Sequence, residues 1–501
     1  MTPPLDVPRQ TPRALWVTLI FALIAGVVGA FAQAPFENGV FIIVMMLAAF
    51  FLHTGVVRGW HAALLGLTLG FGYFVVTLSW IISPFQVDPT TVWMAPFGLV
   101  FMALGMGLFW AFGFWGATIL RRPWALIVTW TLAEMLRAYL FTGFAWGSPP
   151  QALVDMLGGQ ALAYVGPHGV MLALCVIGWV FSRNLPRFRL VQGLAFFVSV
   201  VVILMPAAWV TPQPLIADRP VVRLVQPNAP QTEKWNADTA WKFVRRSLDY
   251  TAAAGDVDLI LWPETSVPSL LHNAQNVMQA VGEAGGDTTV ALGILRERDD
   301  GMLANSMVVL DGAGAVTQTY DKHHIVPFGE YIPLRWAFNA IGLNFVGDMF
   351  GDGFGRGEGA KLLDFGALGK ALPLICYEAV FAHDVGAAPA RPDFLIQITN
   401  DAWFGDFAGP QQHLAQARMR AIEQGLPMAR AANTGISAMI GPHGHIIASV
   451  ALNKAGYVDA PLPAPLAPTL YSKTGDRPLG AVLIMLVLMC LLFAARRPKA
   501  N

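Results

Sequence analysis

One stretch of the polar half of the chain, about residues 213–475, reads Leu372-Pro-Leu-Ile-Cys-Tyr-Glu-Ala-Val-Phe381 and contains the only cysteine of that half, Cys376. The apolar, partly β-branched run before the cysteine predicts a buried strand that ends at Cys376. A thiol at the end of a core strand is one way of presenting a nucleophile. The alternative is a buried structural cysteine, because free cysteine is among the most buried residue types. Polar residues elsewhere in this half favour the nucleophile.

Two of these polar residues also lie at or near the ends of predicted strands. Glu264 ends the run Leu259-Ile-Leu-Trp-Pro-Glu264, and Lys322 follows a strand predicted over 315–320. Residues that end neighbouring strands can converge at one rim of a sheet. Singly, Glu264 could cap a helix and Lys322 could be a solvated surface residue.

Together the three residues form a chemical set. A thiol with an ordinary pKa of about 8.5 is mostly protonated at neutral pH, so it needs a base or a nearby cation. We predict that Glu264 accepts the proton of Cys376 and that Lys322 stabilises the thiolate and an oxyanion. The backbone N–H of Tyr377 is a second predicted oxyanion donor.

The polar half as a whole predicts an α/β domain. Predicted strands cover 221–225, 259–262, 288–295, 306–310, 315–320, 371–376, 394–399, 436–440 and 445–450, and a helix is predicted over 410–426. Strands that alternate with helices and hairpins favour two packed sheets covered by helices.

The rest of the chain predicts a membrane protein. Of its 501 residues, 55% are hydrophobic and only 13% are charged, which is unusual for a soluble enzyme. The net charge of zero gives no indication of nucleic acid as a partner. Eight apolar runs are long enough to span a bilayer, and they lie near 14–32, 38–57, 61–83, 93–119, 124–143, 165–182, 191–210 and 479–495. We therefore predict a membrane domain over 1–212, a globular domain over 213–475, and a last helix with its tail over 476–501.

Basic residues predict the orientation of these spans. They lie at the chain start and in alternate loops: Arg9, Arg13, Arg58, Arg121, Arg122, Arg183, Arg187, Arg189, Arg496, Arg497 and Lys499. The intervening loops near 33–37, 84–92 and 144–160 contain no Lys or Arg. The positive-inside rule then puts both termini in the cytoplasm and the globular domain outside it. A cleaved signal peptide is the alternative for the first span, but its apolar run is long and Pro35 would directly follow the cut.

Glu134 and Arg137 are charged residues inside the fifth predicted span. A charged side chain inside a membrane span costs free energy, so it usually marks a structural or functional role. Three positions apart on a helix, the two side chains share a face and can pair. We interpret them as a structural ion pair that locks helix packing.

Several motifs of the polar half resemble the nitrilase superfamily, whose members have a Glu-Lys-Cys triad and an αββα sandwich. They are Trp262-Pro-Glu-Thr265, Lys322 followed by Val326-Pro-Phe-Gly-Glu-Tyr331, and Cys376-Tyr-Glu378. With seven spans before this domain and one after it, the chain resembles the apolipoprotein N-acyltransferase family. The resemblance extends over nearly the whole chain, through Glu134-x-x-Arg137 with Thr142-Gly-Phe144, Lys234-Trp235, and Asn400-Asp-Ala-Trp-Phe-Gly405 with Gln412-His413. Ala145 departs from the pattern, where proline is expected before the tryptophan.

The resemblance implies a ping-pong reaction. Cys376 would take a fatty-acyl chain from a membrane phospholipid as a thioester, with Glu264 as proton acceptor. The chain would then pass to the α-amine of the N-terminal diacylglyceryl-cysteine of an apolipoprotein. The expected partners are these two substrates and the bilayer, with no cofactor and no nucleotide. The expected location is the inner membrane, with the catalytic domain on the periplasmic side, and nothing requires more than a monomer.

The resemblance also assigns supporting residues. Glu330, Tyr377 and Glu378 match residues near the triad. Trp235 and Phe404 match residues of flexible loops over the site, and we expect Phe328 to line the same entrance, since an acyl chain needs an apolar wall. For Phe404 a core position is the alternative. No metal site is expected, because the adjacent His323 and His324 would point to opposite faces of a strand.

Two other functions compete with acyl transfer. One is a membrane-tethered carbon–nitrogen hydrolase, which would use water as the second acceptor. The other is a transporter or receptor whose nitrilase-like domain only binds a ligand. The presence of all three triad residues argues against the second, and Trp235 with the membrane topology argues against the first.

Overall fold

The computed structural model describes residues 14–56, 58–122, 124–184, 190–333, 336 and 353–495. It divides into two compact units, one formed by the residues up to Val210 together with those from Thr474 onward, the other by Thr211–Lys473. Several basic residues used to orient the spans lie outside the described residues: Arg9, Arg13, Arg187, Arg189, Arg496, Arg497 and Lys499.

The first unit is helical. Its helices are α1 Leu15–Ala30, α2 Val40–Thr54, α3 Gly59–Thr77, α4 Ala95–Leu120, α5 Ala125–Tyr139, α6 Leu162–Asn184, α7 Leu190–Leu204 and, after the second unit, Arg477–Ala495. Helix α3 packs against α1 and α4. At Gly70 a Cβ atom would come within 2.8 Å of the Gly107 Cα, so glycine permits this close helix contact.

Three stretches of this unit are long and apolar enough to cross a membrane, namely Gly59–Thr77, Val92–Leu120 and Leu157–Arg183. Four further apolar helices are shorter: Leu15–Ala30, Val40–Thr54, Gly193–Leu204 and Arg477–Leu492. Helix α6 is interrupted at Gly166, which has φ +64° and ψ −175°, where the sequence Gly166-Pro167 weakens the predicted sixth span. The structure thus supports a membrane domain, and the number of spans stays a prediction.

Glu134 and Arg137 do form an ion pair inside this unit. Arg137 donates from Nε to Glu134 Oε1 over 3.1 Å and from Nη2 to Oε2 over 2.7 Å. Trp110 Nε1 donates to Glu134 Oε1 over 2.6 Å. The remaining Arg137 nitrogen, Nη1, donates to the carbonyls of Phe144 and Trp146 over 2.5 and 2.9 Å. Both charged groups are buried and each makes three or more hydrogen bonds, which fits a structural role.

The second unit contains two six-stranded sheets. Their strands are β1 Val221–Gln226, β2 Leu259–Leu261, β3 Thr289–Glu297, β4 Leu303–Leu310, β5 Val316–Asp321, β6 Leu363–Asp364, β7 Lys370–Ile375, β8 Phe394–Thr399, β9 Met428–Ala432, β10 Ser437–Ile440, β11 Ile446–Val450 and β12 Gly456–Pro461. The first sheet has the order β12-β1-β2-β3-β4-β5 and the second the order β11-β10-β9-β8-β7-β6.

The helices of this unit are α8 Gln231–Lys234, α9 Ala240–Thr251, α10 Gln275–Gly285, α11 Ala382–Gly386, α12 Gly409–Gln424 and α13 Leu470–Thr474. Alternate side chains of each strand face opposite layers. In β2, Leu259 and Leu261 join a core that both sheets share, whereas Ile260 packs with Val244 of α9 and Met278 of α10. The outer face of the second sheet packs against α12. These layers are the αββα sandwich, so the predicted nitrilase-like fold is confirmed.

The predicted strands match the observed ones to within a few residues, and β8 matches at both ends. The prediction omits β6, β9 and β12, and among the helices of this unit it includes only α12. It also extends the strand before the cysteine too far: β7 ends at Ile375, and Cys376 begins a 3₁₀ turn over Cys376–Val380. Strand β12 is missed because its run Gly456-Tyr-Val-Asp-Ala-Pro461 is short, half-exposed and bounded by glycine and proline.

Candidate active site

Glu264, Lys322 and Cys376 each lie just beyond the end of a strand. Lys322 and Cys376 directly follow β5 and β7, and Glu264 comes three residues after β2. The expectation that these strands are neighbours is wrong: β3 and β4 separate β2 from β5, and β7 belongs to the other sheet. The three residues therefore meet at one end of the sandwich, between the sheets. At most 5% of each residue is exposed.

The Glu264 carboxylate is held by two N–H donors. Asn305 Nδ2 donates to Oε1 over 2.6 Å, and the backbone N–H of Asn400 donates to Oε2 over 2.7 Å. Asn305 comes from β4 and Asn400 follows β8, so each sheet supplies one donor. This fixes the orientation of the carboxylate before a substrate binds.

The Lys322 ammonium lies between two carboxylates. Its Nζ donates to Glu330 Oε1 over 2.8 Å and lies 3.6 Å from Glu264 Oε1. Burial alone lowers the pKa of Lys322, but the charges of Glu330, Glu264 and the Cys376 thiolate outweigh burial and raise it. Lys322 therefore carries a permanent positive charge beside Glu264. Glu330 is itself fixed, since its Oε2 accepts the backbone N–H of Val326 over 2.7 Å.

Cys376 occupies a strained turn. Its φ of +52° lies in the left-handed region, which costs a residue with a side chain about 1–2 kcal/mol. Burial raises the pKa of the thiol, the charge of Glu264 raises it further, and Lys322 opposes both effects. The thiol is thus protonated at neutral pH, and deprotonation requires a base next to it.

Glu378 anchors this turn to the loop after β5. Its Oε2 accepts the backbone N–H of Ile375 over 2.7 Å, and its Oε1 accepts that of His323 over 2.7 Å. Tyr320 also donates its hydroxyl to the carboxylate over 2.9 Å. Burial lowers the pKa of His323, but hydrogen bonds to Asp384 and Glu378 outweigh it and raise the pKa to about 10. Glu378 is fully buried and holds the turn that begins at Cys376 in place.

Comparison with known proteins agrees with this geometry. A carbon-nitrogen hydrolase family model matches residues 221–468, and a model of the apolipoprotein N-acyltransferase N-terminal domain matches residues 25–180. An apolipoprotein N-acyltransferase of Rhodopseudomonas palustris is 35% identical over 96% of this chain and 96% of its own. One from Brucella suis is 34% identical over 96% of this chain and 95% of its own. This chain belongs to the apolipoprotein N-acyltransferase family. The resemblance found in the sequence is confirmed.

An amidase from Nesterenkonia sp. is a solved structure that resembles part of the chain. It is 18% identical with a TM-score of 0.38, and the match covers 54% of this chain and 98% of the amidase. At this similarity the amidase carries no argument about the chemistry of the acyltransferase family.

Three site residues of this acyltransferase family member were not predicted to act there. They are Asn305, Asn400 and Lys234, of which the last two stand in motifs quoted for the family. Lys234 Nζ donates to the Glu264 carbonyl over 2.9 Å and to Thr265 Oγ1 over 2.7 Å. Burial lowers the pKa of Lys234 to about 8, although Glu264 and Cys376 oppose this. Nothing in the sequence marks Asn305 as a site residue, because a polar residue within a strand usually faces solvent.

The predicted aromatic residues differ in exposure. Trp235 follows α8 and is 46% exposed, and Phe328 is 56% exposed with φ +60°. Phe404 is half-buried: it packs on the core shared by the two sheets and contacts the His413 ring edge-on at 5.4 Å. Tyr377 is buried against His324 and Phe381. Trp235 and Phe328 therefore offer apolar surface to a ligand, whereas Phe404 is largely a packing residue.

The two adjacent histidines do not point to opposite faces, contrary to the prediction. Residues 323 and 324 lie beyond β5, and both imidazoles approach Asp384 of α11. His324 Nδ1 lies 2.6 Å from Asp384 Oδ2, and His383 joins this group. Potential metal-ligating atoms of His324, His383 and Asp384 lie within 4.8 Å of one another. Their hydrogen bonds link α11 to the loop that carries Lys322.

Proposed function

We propose that this member of the family transfers a fatty-acyl chain from a membrane phospholipid to the N-terminal amine of a diacylglyceryl apolipoprotein through a thioester on Cys376. The observation that carries this proposal is the meeting of Glu264, Lys322 and Cys376 in one buried group. A thiol whose pKa is raised by burial is inert until a base removes its proton, and Glu264 is held beside it for that purpose.

In the first half-reaction, the sulfur of Cys376 attacks the ester carbonyl carbon of the phospholipid. Glu264 takes the thiol proton, and the negative charge moves to the carbonyl oxygen. Lys322 Nζ and the Tyr377 N–H stabilise this oxyanion. Collapse of the intermediate breaks the ester C–O bond. Glu264 returns the proton to the departing lysophospholipid oxygen, which leaves the acyl group on Cys376.

In the second half-reaction, the α-amine of the apolipoprotein attacks the thioester carbon. Glu264 accepts a proton from the attacking nitrogen, and the same two donors stabilise the second oxyanion. The C–S bond then breaks, the thiolate recovers a proton, and an amide remains on the lipoprotein. Thioester to amide is a downhill conversion, so this scheme needs no nucleotide and no cofactor.

The proposal places the chain in the inner membrane, crossing it eight times, with residues 213–475 on the periplasmic side. The apolar helices of the first unit and the basic residues of alternate loops support this arrangement. Exposed Trp235 and Phe328 would contact acyl chains that enter from the bilayer. A monomer suffices, because one chain supplies all three triad residues.

Mass spectrometry of the purified protein tests the first half-reaction. With phospholipid alone, we expect an acyl adduct on the Cys376 peptide that hydroxylamine removes. Glu264→Gln and Cys376→Ser should not form this thioester. Addition of a diacylglyceryl lipopeptide should then move the acyl group to its amine. The proposal is wrong if no thioester forms and the protein instead releases ammonia or a free acid from amides.

A further inference from the structure

Behind the nucleophile lies a cluster of four buried polar side chains. Gln397 Nε2 lies 3.2 Å from the Cys376 carbonyl oxygen, and His413 Nε2 lies 3.1 Å from it. Asp401 and Arg430 complete the cluster, and all four side chains have an exposure of 0%. The cluster occupies the helix-covered face of the second sheet, which is otherwise lined by apolar residues.

The position of Gln397 is costly for the fold. It lies within β8 between Ile396 and Ile398, and Arg430 is its neighbour on β9. Burying a polar side chain costs free energy unless hydrogen bonds replace its contacts with water. Gln397 recovers this cost through hydrogen bonds to the Arg430 guanidinium and to the Cys376 carbonyl. The second of these contacts ties the buried amide to the turn that carries Cys376.

The hydrogen bonds determine which Gln397 atom faces the cysteine. Arg430 Nη1 lies 2.5 Å from Gln397 Oε1, and a guanidinium only donates, so this atom is the amide oxygen. Gln397 Nε2 therefore donates to the Cys376 oxygen over 3.2 Å, and His413 Nε2 lies 3.1 Å from the same oxygen. On its other side, His413 Nδ1 lies 2.8 Å from Asp401 Oδ1.

The charges of the cluster agree with this assignment. Burial alone raises the pKa of Asp401, but Arg430 and His413 outweigh it and lower the pKa to about 2, so the carboxylate accepts only. Burial lowers the pKa of His413, which lies between Asp401 and the Cys376 carbonyl. The contacts of Gln397 with Arg430 and with the Cys376 carbonyl each pair a donor with an acceptor.

The Cys376 carbonyl and the Tyr377 N–H belong to the same peptide group. That peptide is trans, and a trans peptide is planar, so its C=O and N–H bonds point in opposite directions. A donor that fixes the carbonyl on one side therefore fixes the direction of the N–H on the other. The left-handed φ of Cys376 is strained, and a donor on its carbonyl adds a second anchor to the one that Glu378 provides.

We propose that Gln397 is a positioning residue for acyl transfer, which holds the Cys376 carbonyl so that the Tyr377 N–H points at the oxyanion. His413, Asp401 and Arg430 hold the Gln397 amide in place. The inference rests on the proposed function, because it requires an oxyanion to form next to Cys376. Gln397 makes and breaks no covalent bond.

The test compares two reactions of the same sulfur in Gln397→Met. This substitution removes the donor without adding charge. We expect the rate of thioester formation from phospholipid to fall about 10- to 100-fold, since loss of one oxyanion donor costs about 10²–10³. Alkylation of Cys376 by iodoacetamide passes through no oxyanion, and its rate should stay close to that of the wild type.

Gln226→Met is the matched control. Gln226 is a fully buried glutamine of β1 that donates to the carbonyls of Ala451 and Lys454. Its loss should lower the thermal unfolding midpoint and leave the thioester rate unchanged. Equal losses of acylation and alkylation in Gln397→Met would show a merely structural role and overturn the inference.

His413 provides a second pair of variants, which decides the question if Gln397→Met does not fold. His413→Gln keeps hydrogen-bonding groups toward Gln397 and toward Asp401, so it should retain most of the thioester rate. His413→Leu keeps neither and should lose about tenfold or more. If Gln397→Met or His413→Leu forms the thioester at the wild-type rate, the inference about Gln397 is wrong and the proposed function is unaffected. Absence of a thioester in the wild type would instead overturn the proposed function.

Discussion

Each of the two units buries a glutamate close to a basic residue, and the two pairs differ in geometry. In the helical unit, Arg137 donates two hydrogen bonds to Glu134. Arg137 also donates to two backbone carbonyls, and Glu134 also accepts from Trp110. In the sandwich unit, Lys322 stays 3.6 Å from Glu264 and donates to Glu330 instead.

The difference shows how a buried charge pair is made structural or reactive. In the closed pair, the two charged groups bond each other directly at two points, which fits a structural role. In the open pair, neutral N–H groups hold Glu264, and a second carboxylate, that of Glu330, accepts the hydrogen bond from the lysine. Glu264 is thereby oriented without a direct hydrogen bond from Lys322, which stays 3.6 Å away.

The largest expected effect is that of Glu264→Gln on acyl transfer. The amide has the shape of the carboxylate but cannot accept a proton, and loss of a general base costs about 10²–10⁴ in rate. Single-turnover thioester formation measures this loss, and the thermal unfolding midpoint checks the fold. Retention of a near-normal rate would show that Glu264 is not the base.

The corresponding change in the closed pair, Glu134→Gln, should act on stability. It leaves the buried Arg137 without a counter-charge, which costs about 3–5 kcal/mol in the free energy of unfolding. We expect a lower unfolding midpoint in detergent and, in the fraction that stays folded, a normal rate of thioester formation. A specific loss of activity without loss of stability would contradict the structural role.

The pH dependence of Cys376 alkylation sharpens the description of the open pair. Because burial raises the thiol pKa, the fraction of thiolate should rise about tenfold per pH unit between pH 7 and 9, without levelling off. The charge of Glu264 also raises this pKa, so Glu264→Gln should alkylate faster than the wild type while it acylates more slowly. A plateau in the wild-type alkylation rate below pH 8 would contradict this account.

The smallest expected effect concerns the segment between Lys322 and Glu330. Phe328 lies in it with 56% of its surface exposed, and we expect Phe328→Ala to raise the KM for phospholipid a few-fold, since the lost apolar contact is worth about 1 kcal/mol. Trp241→Ala, in an exposed aromatic of α9, is the control and should leave KM unchanged. A fall in kcat alone would place Phe328 in the chemistry.

The sequence predicted the sandwich well because its strands have a simple pattern. Strand β8 alternates residues between two apolar layers, so a short run of buried residues marks both of its ends. The three residues proposed as the triad were singled out because each follows a predicted strand. Their meeting between two sheets was not predictable, since β2, β5 and β7 are brought together only by the packing of the whole unit.

The residues around the triad were harder to predict. Gln397 and Asn305 are single polar residues within buried strands, and their partners come from distant segments. The sequence also gives no indication that Cys376 adopts a left-handed conformation, because such turns usually contain glycine. The adjacent histidines were misjudged because a strand was assumed to continue where the chain has already left the sheet.

The pairing of β1 with β12 has a consequence for the origin of such proteins. Val221 lies directly opposite Pro461, so the catalytic unit begins and ends on neighbouring strands. A segment whose two ends emerge side by side can be inserted into a loop of another protein as a cassette. Helical segments can therefore be joined to the chain before β1 and after β12 without opening either sheet.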